Sequence, residues 1–313
     1  MKRQFLFLLF FYFFAFYCTR AQNIHALELP TFDIERLVPS YQIDEDYAWH
    51  LLSYGERQWA GFEGAPTLAG VSAFYTHKKM GFALHCGYEQ MGFIRSVSSK
   101  ASVVYKVFLS HFHPAFLQFS LGLGIESLFT RATNVITEYP IASDLLTSNK
   151  GVSPIVDISS TFKIQSFTLG AAFTYIFGLH ENSLDYVRQT SMYRVFTFAE
   201  YDFELSRNWT LTPLLCYSYR EGKDFGHTLD VGLSVKHTFF GFKIMDRTNA
   251  YLSFGLDITA ISHLSIGYTY TMPLCSTQSI SLFSSHAVSL KFGFGKIAWP
   301  TVKKTKYNTF STY

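Results

Sequence analysis

Three groups of side chains have types and spacings that chemistry could use. His111 and His113 stand two apart, like neighbours on one face of a strand, and two imidazoles so placed could begin a metal site. Ser284, Ser285 and His286 put hydroxyls beside an imidazole, the ingredients of nucleophilic hydrolysis. Glu200, Asp202 and Glu204 align carboxylates at period two, a pattern suited to general acid–base work. None of the three is complete. Pro114 places the histidines in a turn, and no third ligand follows nearby in sequence. Serine and histidine are too common to carry a hydrolase without geometry. The carboxylates share their segment with Arg194 and read better as charges lining an interior. No catalytic, cofactor-binding or metal-binding residues are therefore assigned, and no enzymatic activity is expected.

The elements that hold these groups are legible. From Leu68 onward, apolar and polar residues alternate over segments of about ten residues, the signature of strands. Phe82, Leu84 and Cys86 oppose Ala83, His85 and Gly87. Phe119, Leu121, Leu123 and Ile125 oppose Gln118, Ser120, Gly122 and Gly124. Leu169, Phe173 and Tyr175 oppose Thr168, Gly170 and Thr174. Phe254, Leu256 and Ile258 oppose Ser253, Gly255 and Asp257, and Val288, Leu290, Phe292 and Phe294 oppose Ser289, Lys291 and Gly293. Such lengths match a tilted strand crossing a membrane.

Composition supports that reading. The 313 residues include 33 Phe and 20 Tyr, and charged residues are only 16% against about 25% in soluble domains. The net charge of +3 does not ask for a nucleic-acid partner. Lys2 and Arg3 followed by the apolar run Phe5 to Tyr17 read as a secretory signal, cleaved after Ala21. Cys18 invites a lipoprotein reading, but the bulky Tyr17 before it does not fit a lipobox. Beyond the signal no apolar run approaches the ~18 residues of a membrane helix. The three remaining cysteines, Cys86, Cys216 and Cys275, cannot form a complete disulfide framework.

The expected fold is therefore all-β, a transmembrane antiparallel β-barrel of about 12–14 strands. Residues 1–21 are the signal peptide, 22–48 an extended periplasmic lead-in, 49–295 the barrel and 296–313 a basic tail. The tail reads as a disordered extension, with a docking peptide as the alternative. A charge facing hydrocarbon costs on the order of 2–4 kcal/mol at mid-depth. Arg194, Glu200, Asp202, Glu204, Asp230 and Lys236 should accordingly face the lumen. A soluble β-sandwich would reverse the faces, but the apolar faces here are numerous, aromatic-rich and alike. Connections agree with a barrel: short ones around 77–79, 111–114, 164–165, 206–208, 239–241 and 260–262 alternate with long ones at 89–98, 126–153, 178–190 and 273–283. Short turns on the periplasmic side and long loops outside are the outer-membrane rule.

One connection carries more. Gln58, Trp59, Gly61, Phe62, Gly64, Ala65 and Pro66 pack two aromatics, two glycines and a proline into one short link. Their order and spacing resemble the signature of the PorP/SprF family of outer-membrane proteins in the type IX secretion system. The family usually places an Arg where this chain has Glu56, and its Asn-Pro-Ala-Tyr-Ala-Gly stretch is reduced here to Asp46-Tyr47-Ala48. Weaker similarities lie at Gly267-Tyr268-Thr269-Tyr270 and Ser284-Ser285-His286. The resemblance implies a non-enzymatic barrel in the outer membrane that supports export or surface attachment of cargo carrying a C-terminal sorting domain, gliding adhesins included. Its implied partners are outer-membrane lipid, that cargo and other secretion components in the periplasm. The rival readings are a passive porin or hydrophobic-solute channel, and an outer-membrane hydrolase.

Overall fold

Alternation puts every second side chain on one face, and these faces build a closed ring. The computed structural model describes residues 34, 36–41, 47–58, 65–91, 94–110, 115–130, 150–178, 191–206, 209–221, 227–235, 238–245, 249–261, 264–275 and 284–296. The strands are β1 (Tyr47–Arg57), β2 (Thr67–His77), β3 (Met80–Met91), β4 (Ile94–Phe108), β5 (Ala115–Thr130), β6 (Lys150–Ile164), β7 (Phe167–Ile176) and β8 (Met192–Tyr201). They continue as β9 (Phe203–Ser206), β10 (Trp209–Arg220), β11 (His227–Val235), β12 (Thr238–Met245), β13 (Asn249–Ile261), β14 (Leu264–Cys275) and β15 (Ser285–Lys296). β15 pairs back onto β1, from Lys296 opposite Tyr47 to His286 opposite Arg57, and closes the sheet. β8 and β9 both pair with β10 as two halves of one strand bent at Asp202, so the fifteen segments make a fourteen-stranded antiparallel barrel.

The faces divide as lipid demands. On β5, Phe119, Leu121, Leu123 and Ile125 are exposed on the outside while Gln118, Ser120 and Gly122 are buried within. The inner wall is rich in hydroxyls, among them Ser72, Ser102, Ser159, Thr161, Thr168 and Thr271. Outward aromatics gather at both ends. Trp49 stacks on Phe294 at 5.9 Å beside Tyr75 at the short-turn end, and Phe173, Tyr175, Tyr193 and Tyr219 cluster at the other. Two such girdles fit two membrane–water boundaries. Lys78 and Gln165 open two-residue turns with φ of 53° and 52°, the positive values that let a hairpin follow strand twist.

Three expectations change. The turn placed at 239–241 lies earlier, because β11 ends at Val235 and β12 begins at Thr238. Gly241 misled: it is not a turn glycine but a ladder residue facing Gly232. The long connection at 89–98 shrinks to two residues, since β3 runs to Met91 and β4 starts at Ile94. The polar run there is strand rising above the bilayer: β4, β5 and β6 have 15, 16 and 15 residues, where roughly 9–11 suffice to cross. Finally, residues 34 and 36–41 are not an extended lead-in. The Val38 N–H donates to the Ile34 carbonyl at 2.7 Å in a helical turn, and a 3-10 turn follows at Pro39–Tyr41. The segment lies inside the barrel. The expected signal peptide and basic tail lie outside the described residues.

Candidate functional site

The lumen is the site, and its inner half is occupied. β1 starts at the short-turn rim, and the chain before it folds into the barrel. Ile34, Leu37 and Val38 are buried against Ala172, Phe196, Phe198, Leu214 and Cys216 on β7, β8 and β10. Bare polar walls would give these side chains nothing to pack against. An apolar patch does, and Gly170 makes it possible: a Cβ there would collide with the Phe198 ring, which lies over the strand. Tyr41 meets Phe198 edge-on at 5.2 Å and donates its hydroxyl proton to Glu200 Oε1 at 3.0 Å. The Ser40 backbone N–H donates to Ser159 Oγ at 3.0 Å, and Ser40 Oγ lies 2.8 Å from Thr161 Oγ1.

Above this segment the lumen opens into a chamber with about 120 Å3 of room for water-sized molecules, whose lining carries Arg36, Lys100, Arg194 and Arg220 along with Glu89 and Glu126. Arg36 joins the segment to the wall, donating to the Tyr54 hydroxyl at 3.2 Å with its guanidinium 4.9 Å over the Tyr54 ring. Tyr54 stacks against His85, whose Nδ1 lies 2.8 Å from Ser72 Oγ. Ser72 is wholly buried, so this Ser–His pair offers no nucleophile to a substrate. Across the chamber, Lys100 Nζ donates to Asp157 Oδ2 at 2.9 Å, and Thr174 Oγ1 donates to the same oxygen at 2.8 Å. The pair reaches over β5 from β4 to β6. Gly122 and Gly124 clear its path, since a Cβ at either would press on Ser102 or on the β4 backbone at Ser99–Lys100. A buried ion pair with a hydroxyl partner fixes these strands relative to one another.

The residues singled out in the sequence fall as follows. Glu200 faces the lumen and holds Tyr41. Asp202, at the bend, accepts from Thr212 Oγ1 at 2.7 Å. Arg194 lines the chamber directly opposite Arg220. Glu204 stands opposite Thr210 but is exposed at the short-turn rim. Asp230 takes a register position opposite Cys216 and Lys243. Lys236 lies outside the described residues. Sequence reasoning missed Lys100, Asp157, His85 and Arg36. The first three could have been found as single polar residues on the small or polar face of an alternating strand.

The signature connection rises from the same wall. Gln58 and Glu56 are buried, and Gln58 Nε2 donates to Glu56 Oε1 at 3.2 Å. The Gln58 backbone N–H donates to the Pro66 carbonyl at 2.9 Å, pinning the base of the loop. Ala65 is buried and its carbonyl accepts from Thr67 Oγ1 at 3.4 Å. Trp59, Gly61, Phe62 and Gly64 lie outside the described residues, as do His111 and His113. Ser285 is buried in the wall while His286 points outward to the Tyr268 hydroxyl at 2.7 Å, so neighbours in sequence sit on opposite faces.

An apolar belt, paired aromatic girdles and a polar interior define an outer-membrane β-barrel of the secretion and transport kind. The profile of type IX secretion system membrane proteins PorP/SprF matches residues 39–292, and the chain belongs to that family. Among solved structures, the CymD monoaromatic hydrocarbon channel is similar in fold, with a TM-score of 0.53, 10% identity, and 88% of this chain and 95% of that chain covered. Omp33 of Acinetobacter baumannii follows at a TM-score of 0.46 and 8% identity, covering 80% of this chain and 99% of that one. A FadL homologue of Pseudomonas aeruginosa gives 0.46 and 11%, covering 83% and 93%. Among curated proteins, none matches the chain in sequence.

Proposed function

We propose that this barrel is a non-enzymatic component of type IX secretion that supports export or surface attachment of cargo bearing a C-terminal sorting domain, gliding adhesins among them. The observation that carries the reading is the signature connection, Gln58 to Pro66, closed at its base at the outer mouth of a lumen whose inner half a chain segment occupies. A barrel that serves secretion must recognise protein, and the connection whose base is closed by Gln58 and Pro66 is our candidate for doing so. Periplasmic secretion components would meet the short-turn rim, where the barrel begins and ends.

The test is deletion of the gene followed by proteomics of surface, medium and periplasm. Sorting-domain cargo should be retained in the periplasm or shed into the medium, with small-solute uptake intact. Trp59→Ala with Phe62→Ala should reproduce part of the defect while the barrel still assembles, because aromatic anchors are lost and strand ladders are not. Unchanged cargo with a lost solute permeability would instead favour a channel for small or hydrophobic solutes.

A further inference from the structure

We propose that the inner half of the lumen is a binding site for a polypeptide segment, filled in cis by residues 34–41, and that a peptide of the same chemistry from another chain can take its place. The wall there binds peptide in both the ways a peptide can be bound. Ser159 Oγ accepts a main-chain N–H from Ser40, a contact any sequence except proline could make at that position. Side chains are then read in order. The Leu37 and Val38 pair enters the apolar patch of Ala172, Phe196, Phe198, Leu214 and Cys216. A hydroxyl meets Thr161, and a phenol reaches Glu200 beside the Phe198 edge.

Two features show that this is a built seat. The inner wall carries many hydroxyls and a second apolar cluster of Leu52, Phe74 and Ala83, but the patch of five apolar side chains is the one that packs with Ile34, Leu37 and Val38, and facing inward it has no use for the lipid belt outside. Its central ring lies over a glycine, although glycine weakens a strand interior. The occupant, by contrast, adds no strand to the ladders that hold the ring together. It is held by side-chain packing and a few hydrogen bonds, which a second peptide can match. The ligand class follows: two consecutive aliphatic residues, then a hydroxyl and an aromatic hydroxyl, as in Leu37-Val38-Pro39-Ser40-Tyr41. The site does not depend on the secretion reading, since a solute channel with this wall would bind such a peptide as well.

The segment is tethered to β1 by residues 42–46, and short tethers give effective concentrations of about millimolar. A free peptide that binds an unseated barrel with a Kd of about 10 μM should therefore bind the wild type about a hundredfold more weakly. Leu37→Asp with Val38→Asp in the full-length protein removes the apolar anchor. In planar bilayers this variant should conduct several-fold more than wild type, and a synthetic peptide of residues 34–41 should block it saturably. The same peptide carrying Leu37→Asp and Val38→Asp, or Phe198→Ala in the barrel, should raise the blocking concentration about tenfold or more. If the double variant does not assemble, Val38→Asp alone serves, read by fluorescence anisotropy of the labelled peptide on detergent-solubilised protein. Block or binding by a scrambled peptide equal to that of the native one overturns the proposal, as does the absence of saturable binding to the unseated chain.

Discussion

The two sides of this barrel are built to different heights. β4, β5 and β6 have 15, 16 and 15 residues, whereas β11 and β12 have nine and eight. The tall wall carries the Lys100–Asp157 ion pair and the hydroxyls that grip Ser40. The low wall meets its neighbours through plain ladders, such as β12 against β13. The difference shows which wall holds the buried polar contacts of the lumen. Strand length beyond a bilayer crossing is unnecessary for insertion, so the excess height serves the chamber that these strands surround.

The comparison can be broken most sharply at the ion pair. Asp157 is fully buried and Lys100 nearly so. Lys100→Met should strand a buried carboxylate and destabilise the barrel by about 3–5 kcal/mol, with Lys100→Met plus Asp157→Leu recovering much of the loss. Heat-modifiable migration in gels after graded urea treatment measures this, and equal losses in single and double variants would show that the pair does not tie the tall wall. The next effect should ignore the difference in height. Leu123→Arg on β5 and Leu256→Arg on β13 both aim a charge at lipid from exposed outward positions, at about 2–4 kcal/mol each. A much milder outcome for Leu256→Arg would mean that β13, the strand next to the low wall, is not bounded by lipid at that level. The smallest effect belongs to a polar contact beside the low wall, between β13 and β14, Ser253 Oγ to Thr271 Oγ1 at 2.9 Å. Thr271→Val should lower stability by only about 0.5–1.5 kcal/mol in the same assay.

Strands were legible because lipid and lumen impose opposite demands on alternate residues, as β5 shows from Leu117 to Ile125. Turns were less so. Gly241 looked like a turn residue, yet it lies in a ladder, while the real connection at 236–237 offers neither glycine nor proline. The carboxylates at 200 and 202 stood out because they interrupt an aromatic strand. Lys100 and Asp157 did not, since each is one charge in a serine-rich or aliphatic run and their pairing spans 57 positions. The segment 34–41 was the least legible. It has no period, and the hydrogen-bond partners of Ser40 and Tyr41 lie 119 to 159 positions away, so its place depends on a lumen that exists only once the strands have met.

The seam between β1 and β15 has a consequence for how such a molecule is made. Tyr47 pairs with Lys296, so the ring cannot shut until nearly the whole chain is present. Contacts that distant in sequence form slowly, because a long loop must close before any of them is gained. Until then β1 keeps an open edge, and residues 34–41 hang from that edge beside the gap. The last strand to arrive therefore closes over a space whose occupant is already attached next to the door. Closing the wall and filling the lumen are thus joined through β1, which carries the segment at one end and forms the seam along its length.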